Sequence, residues 1–156
     1  ALAKIADRMK QELDDKTPVI LILFVDTDSA VSSKKVKWAT RSKSILDGFD
    51  RESISTGIPM VPNPISEAWI LCALQKEYKN CAKLEDESGS KKSPNSLKKK
   101  LENHLCEPET RILLNDKIDD GEIDIDRIID MPSMTAFKDR LSEVLKACYP
   151  VMEDDR

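Results

Sequence analysis

The chain has one histidine, four glycines and seven aromatic residues among its 156, and each scarcity closes a line of chemistry. With His104 alone and no Ser or Cys in a recognisable nucleophile setting, a catalytic triad is excluded. A histidine-based zinc site cannot be assembled from one His and scattered cysteines. Neither GxxxxGK[ST] nor GxGxxG occurs, so there is no self-contained nucleotide-binding loop. No stretch reaches the roughly 18 apolar residues of a membrane helix. No signal-peptide pattern is visible either, and the expected compartment is the cytoplasm. Cys72, Cys81, Cys106 and Cys148 form no CxxC pair. Cys72 and Cys148 fall in apolar periodic stretches and read as buried free thiols of a reducing compartment. A basic excess is also missing: the formal charge is −4, without the global signature of a nucleic-acid binder.

What is present is a chain suited to one compact domain, or to a domain with an appendage, with 40% hydrophobic residues for a core. Charge is unevenly spread. Val31 to Lys43 holds five bases (Lys34, Lys35, Lys37, Arg41, Lys43) and no acid, whereas Leu114 to Asp130 holds seven acids against two bases. Leu2, Ile5, Met9 and Leu13 recur at helical spacing, which predicts an amphipathic helix packed on a sheet. Val36 to Leu46 predicts a second helix, stopped by Gly48. Ile54 to Val61 predicts a strand, with Pro59 pointing to an edge or irregular position. Asn63-Pro64 reads as an N-cap followed by proline at the first helical position of a helix reaching about Tyr78. Glu85 to Asn95, rich in Ser, Gly and charge, predicts a flexible surface loop. Behind it Leu97, Leu101 and Leu105 mark a short basic helix. Arg111–Leu114 is a brief apolar piece, Ile125 to Ile129 a short helix or turn, and Ser133 caps a last helix carrying Phe137, Leu141, Val144, Leu145 and Cys148. Trp38 and Trp69 sit at helical positions suited to core packing.

The chain is organised around PVILILFVDTDS, Pro18 to Ser29. Seven unbroken apolar residues, Val19 to Val25, predict a strand buried on both faces of a parallel sheet. It runs out into Asp26-Thr27-Asp28, at the end of a strand where open α/β sheets place ligands. Residues i and i+2 of an extended segment point the same way, so two carboxylates can face one point and would call for a compensating cation. A polar loop capping the strand accounts for the same residues. Glu67 lies in the first turn after Asn63-Pro64, at the next strand–helix junction, which parallel neighbours would bring alongside. Three carboxylates there make an oxygen-only site suited to Mg²⁺ or Mn²⁺, and the usual work of such a site is phosphoryl or phosphodiester chemistry. The lysines beginning six residues after Asp28 would hold a phosphate backbone, or simply a solvated helix face. A second cluster, Lys91, Lys92, Lys98, Lys99 and Lys100, cannot be placed from sequence. The acidic turn at Asp119-Asp120-Gly121 is no calcium loop, because Ile118 and Arg127 occupy ligand positions.

The order apolar strand, Asp-x-Asp, helix, strand, then NPxSEAW resembles the Toprim fold of topoisomerases, primases and OLD-type nucleases. Within that family it is most similar to small Toprim-like proteins of prokaryotic defence loci, often encoded beside an ATPase. Val25–Ser29, Val61–Leu71 and Pro132–Leu141 carry the resemblance. It implies an α/β fold with a central, mostly parallel sheet flanked by helices, and a first strand that would precede Ala1 together with the acidic residue Toprim enzymes carry after it. The layout expected is an α/β core over residues 1–82, a loop over 83–96 and a helical C-terminal part over 97–156. By the resemblance Asp26 and Asp28 are the metal-binding aspartates, and Glu67 matches the acid at the head of the following helix. These three would be catalytic and hold Mg²⁺ or Mn²⁺, with Lys34, Lys35, Lys37, Arg41 and Lys43 on the nucleic acid, DNA foremost. The function implied is a metal-dependent nuclease of anti-phage defence with an ATPase partner, no membrane association, and room for a homo-oligomer. The alternative is a non-catalytic Toprim-like module that recognises a protein partner.

Overall fold

The computed structural model describes residues 5, 8–9, 11–13, 17–27, 38–74, 80–90, 92–106 and 110–150. It is an α/β arrangement whose two described strands, β1 (Leu21–Phe24) and β2 (Gly57–Met60), pair in parallel with helices around them. The register sets Leu21 opposite Gly57 and Phe24 opposite Met60. The ladder continues beyond both ends: Thr56 Oγ1 donates to the Val19 carbonyl at 2.6 Å, and the Thr27 N–H and Oγ1 both donate to the Pro62 carbonyl, at 3.1 and 2.8 Å. Pro59 lies inside β2, on an edge strand of the described sheet where its missing N–H costs no ladder bond.

Parallel strands need a long crossover, and α1 (Trp38–Arg51) lies in it. Phe49, its buried residue, covers Gly57 so closely that a Cβ there would come within 2.3 Å of the ring. The helix runs straight through Gly48; Ser53 ends it instead. Ser53 adopts φ 57°, and the next N–H, of Ile54, reaches back to the Phe49 carbonyl at 2.9 Å. That is the 6→1 bond of a Schellman closure.

The core gathers around α2 (Ser66–Leu74), buried at Glu67, Ala68, Trp69, Leu71, Cys72, Ala73 and Leu74. A helix apolar on nearly all sides must be covered on all sides. Leu97, Leu101 and Leu105, spaced four apart on α3 (Leu97–Leu105), cover one flank. A 3-10 turn, Cys81–Asp86, and a second one, Ile125–Arg127, pack on others. Between α3 and the second turn lies α4 (Arg111–Asp119), capped by the Thr110 hydroxyl. It extends as a helix what looked like a brief apolar piece. The chain closes with α5 (Pro132–Cys148) against β2, where Arg140 donates to the Gly57 and Ser55 carbonyls at 3.1 and 2.7 Å.

Three expectations change. β1 is not buried on both faces: Leu21 and Leu23 are half-buried, whereas Ile22 and Phe24 are about half exposed. An apolar run looks the same in sequence whether one face or two are covered. Helical residues between 5 and 13 leave Ile5, Met9 and Leu13 exposed rather than packed on the sheet. Finally, Cys72 is not a free thiol. It is joined to Cys81 by a disulfide, with Cα atoms 5.6 Å apart, which ties α2 to the first 3-10 turn. The free-thiol argument for a reducing compartment therefore does not apply to this pair. No helix among the described residues is long and apolar enough to cross a membrane.

Two of the four cysteines, Cys106 and Cys148, are free. Unfolded in denaturant without reductant, the protein should react with two equivalents of a thiol reagent, and with four after reduction. Four equivalents in both conditions would remove the Cys72–Cys81 bond from the fold.

Candidate metal and phosphate site

The C-terminal end of β1 delivers Asp26 to the start of α2. Its Oδ1 accepts the Ser66 N–H at 2.9 Å, one of the donors that a helix leaves unsatisfied in its first turn. Asp26 thus does the capping that the sequence assigned to Asn63, and α2 begins at Ser66 rather than at Pro64. The reason is tertiary: the β1–β2 register brings the strand end to the helix start, and a carboxylate is a strong acceptor there. Ser66 also links Asp26 to the next carboxylate, because its hydroxyl donates to Glu67 Oε2 at 3.4 Å. Arg41 Nη1 donates to the Asp26 backbone carbonyl at 2.6 Å, so α1 also reaches this corner.

Glu67 is only 4% exposed, and a buried carboxylate needs a partner. Lys98, from the first turn of α3, supplies one with its Nζ 3.1 Å from Oε1. This locates Lys98 of the second lysine cluster, which the sequence left unplaced. Lys100 in the same turn pairs with Glu87 at 2.6 Å. On α1, by contrast, Lys43 is engaged by both oxygens of Asp47 at 2.9 and 3.0 Å. The hydrogen bond to Asp47 and its charge hold Lys43 above the usual lysine range, with a smaller push from Asp50.

Beside this corner lies a buried polar network that the sequence did not announce. Glu85, read as the start of a flexible loop, is buried. Its Oε1 accepts the Ser133 N–H at 2.8 Å and the Ser133 hydroxyl at 2.6 Å, and its Oε2 accepts Asn63 Nδ2 at 3.2 Å. Ser133 Oγ in turn accepts Trp69 Nε1 at 2.8 Å. Ser133 is therefore not the cap of α5: Met131 is in the cap position, Pro132 opens the helix and the serine turns inward. Trp69 is a core residue, as its helical position suggested, with Phe137 at 5.9 Å.

The structure thus brings Asp26, Glu67 and Arg41 to one corner and keeps Lys43 on an ion pair of its own. Asp28, Lys34, Lys35 and Lys37 lie outside the described residues. Among the described residues no three Asp, Glu, His or Cys side chains group as a metal cluster. The donor set is two carboxylates and a hydroxyl, all hard oxygens. That suits a hydrated Mg²⁺, which takes one or two carboxylates and keeps several waters. Sequence reasoning missed Ser66, Lys98 and Glu85 as working residues. Lys98 had a signal: three lysines crowd the first turn of a helix, the end that disfavours cations.

Replacing Ser133 with alanine removes the hydroxyl shared by Glu85 and Trp69, leaving a buried indole N–H unpaired. The loss should be about 1–3 kcal/mol in chemical denaturation, with m unchanged; a change under about 0.5 kcal/mol would mean the network is slack. No family model, curated protein or solved structure matches this chain, and the reading of the site rests on its own geometry.

Proposed function

We propose that the protein is a divalent-metal-dependent hydrolase of phosphodiester bonds in nucleic acid, with Asp26 and Glu67 holding the metal and Asp28, two residues after Asp26, as a further ligand. The observation that carries this reading is Ser66. Its N–H fixes Asp26 and its hydroxyl reaches Glu67, so carboxylates from two successive strand–helix junctions converge at one strand end. An α/β fold with a parallel strand pair is consistent with the Toprim-like architecture suggested by the motifs, and so is the position of Asp26 where β1 ends.

In this reading the chain's own residues bind and orient. Asp26 is held at the start of α2 by the Ser66 N–H. Glu67 supplies the other carboxylate from a rigid, buried helix turn. Lys98 balances the negative charge of Glu67 at rest and, beside the reacting phosphate, adds a positive charge where charge accumulates. A hydrated Mg²⁺ or Mn²⁺ would neutralise the transferring phosphate and lower the pKa of a water.

Cleavage of DNA or RNA should appear with Mg²⁺ or Mn²⁺ at about millimolar concentration, the range such water-retaining sites need. Asp26→Asn keeps an acceptor for Ser66, and Glu67→Gln keeps the shape of the turn; each should lower cleavage at least about a hundredfold. Full activity in Asp26→Asn would exonerate the aspartate. No cleavage by the whole protein with either metal would overturn the hydrolase.

A second reading is favoured by one observation: Lys98 already neutralises Glu67. A charge-satisfied corner serves equally in a non-catalytic module that recognises a protein partner, such as an ATPase. Metal binding separates the two. If the corner holds a cation, Lys98 competes with it, and Lys98→Gln should tighten Mn²⁺ binding several-fold while reducing cleavage. Absence of Mn²⁺ binding in both the parent and the variant supports the module.

A further inference from the structure

The first turn of α3 holds Lys98, Lys99 and Lys100, and its last turn holds only His104 as a basic residue. That arrangement opposes the helix dipole, which favours cations at the other end. Helix stability therefore does not explain it. Two of the charges are balanced across the fold, Lys98 by Glu67 and Lys100 by Glu87. Lys99 is exposed and has no ion-pair partner among the described residues, and the same is true of Lys92. The intervening turns fold back on the start of α3: the Ser96 N–H donates to the Ser93 carbonyl and the Leu97 N–H to the Ser88 carbonyl, at 3.3 and 3.0 Å. Lys92 is thereby held at the same end of the helix as Lys99. The buried Ser96 anchors this end, its hydroxyl accepting the Lys99 N–H at 3.4 Å. Glu102, one turn further along α3, is the nearest acid on the helix itself and is exposed.

We propose that Lys92 and Lys99 form the surface that carries a nucleic-acid backbone to the Asp26–Glu67 corner, with Lys98 at its inner end. The proposal rests on the phosphodiester reading for its direction toward the site. It moves the binding surface from α1, where Lys43 is engaged by Asp47, to α3 and the turns before it. A nucleic-acid backbone is the polyanion that the phosphodiester reading brings to this corner, and exposed lysines without ion-pair partners can take the place of its counterions; an acidic peptide is the competing occupant that the test separates.

The test is binding of the whole protein to a labelled DNA duplex of about 20 base pairs in EDTA, across roughly 50 to 200 mM salt. Removing the metal separates binding from cleavage. In Lys92→Gln/Lys99→Gln, affinity should fall about tenfold, and the slope of log K against log salt should become shallower by about 1.8, near 0.9 per lost phosphate contact. Lys146→Gln, an exposed lysine on α5, should change neither, and circular dichroism should show all variants folded. An unchanged double variant, an equal loss in Lys146→Gln, or displacement of the duplex by polyglutamate at matched charge would each overturn the proposal. So would failure of the parent to bind the duplex in EDTA, whatever the cleavage assay shows. Binding in EDTA without cleavage in Mg²⁺ or Mn²⁺ supports this surface and overturns the hydrolase alone.

Discussion

The Glu85 carboxylate is the constraint on which the packing around the site depends. A buried carboxylate without donors is too costly to keep, and this one takes three: two from Ser133 and one from Asn63. Those donors come from segments 70 residues apart in the chain. Meeting the needs of one side chain therefore fixes the start of α5, the turn before α2 and the first 3-10 turn relative to each other. Trp69, bonded to the same serine, locks α2 into the arrangement. Hydrophobic burial makes α2 a core helix, but apolar packing alone tolerates sliding; the polar network sets where along the helix the neighbours sit. The Cys72–Cys81 bond joins α2 to the turn that bears Glu85.

This bears on the site because α2 begins there. Ser66 can join Asp26 to Glu67 only if the first turn of α2 faces the end of β1. One side of that junction is set by the parallel register and its extension through Thr27 and Pro62. The other is set by the Asn63 side chain in the grip of Glu85. The segment from Val61 to Ile65 is thus held at Pro62 and Asn63, and the start of α2 that follows is placed by it. Positioning of this kind, by supporting residues rather than by the site residues themselves, is what a functional constellation requires.

Much of this was legible in the chain, and the parts that were not share a cause. The apolar run before Asp26 marked a strand, and the Leu97, Leu101 and Leu105 stripe marked a helix, because both rest on local periodicity. Trp69 was legible as core for the same reason. Helix ends were less so: Gly48 looked like a stop, yet Ser53 took the left-handed position, since a short polar residue there can be held by the Ile54–Phe49 bond. Asn63 looked like a cap, yet the carboxylate of Asp26, 40 residues before Ser66, took its place. Ser133 looked like another and turned inward. In each case a tertiary partner outbid a local preference, and no window of sequence contains that partner. Glu85 is the sharpest instance, since its Ser- and Gly-rich surroundings argue for a surface loop while its three donors draw it inside.

The pairing of Glu67 with Lys98 then decides how the corner behaves. Two carboxylates meeting at a helix start would repel each other, and the first turn of α2 offsets that only in part. A lysine across the gap lowers the cost of burying Glu67, and its side chain stays about one-third exposed. Leu97 and Leu101 beside it anchor α3 in the core independently of that pair. Glu67 is therefore charge-balanced at rest, and in the proposed metal-dependent reading a divalent ion would take over that balance from Lys98, so the site would fold before it is loaded.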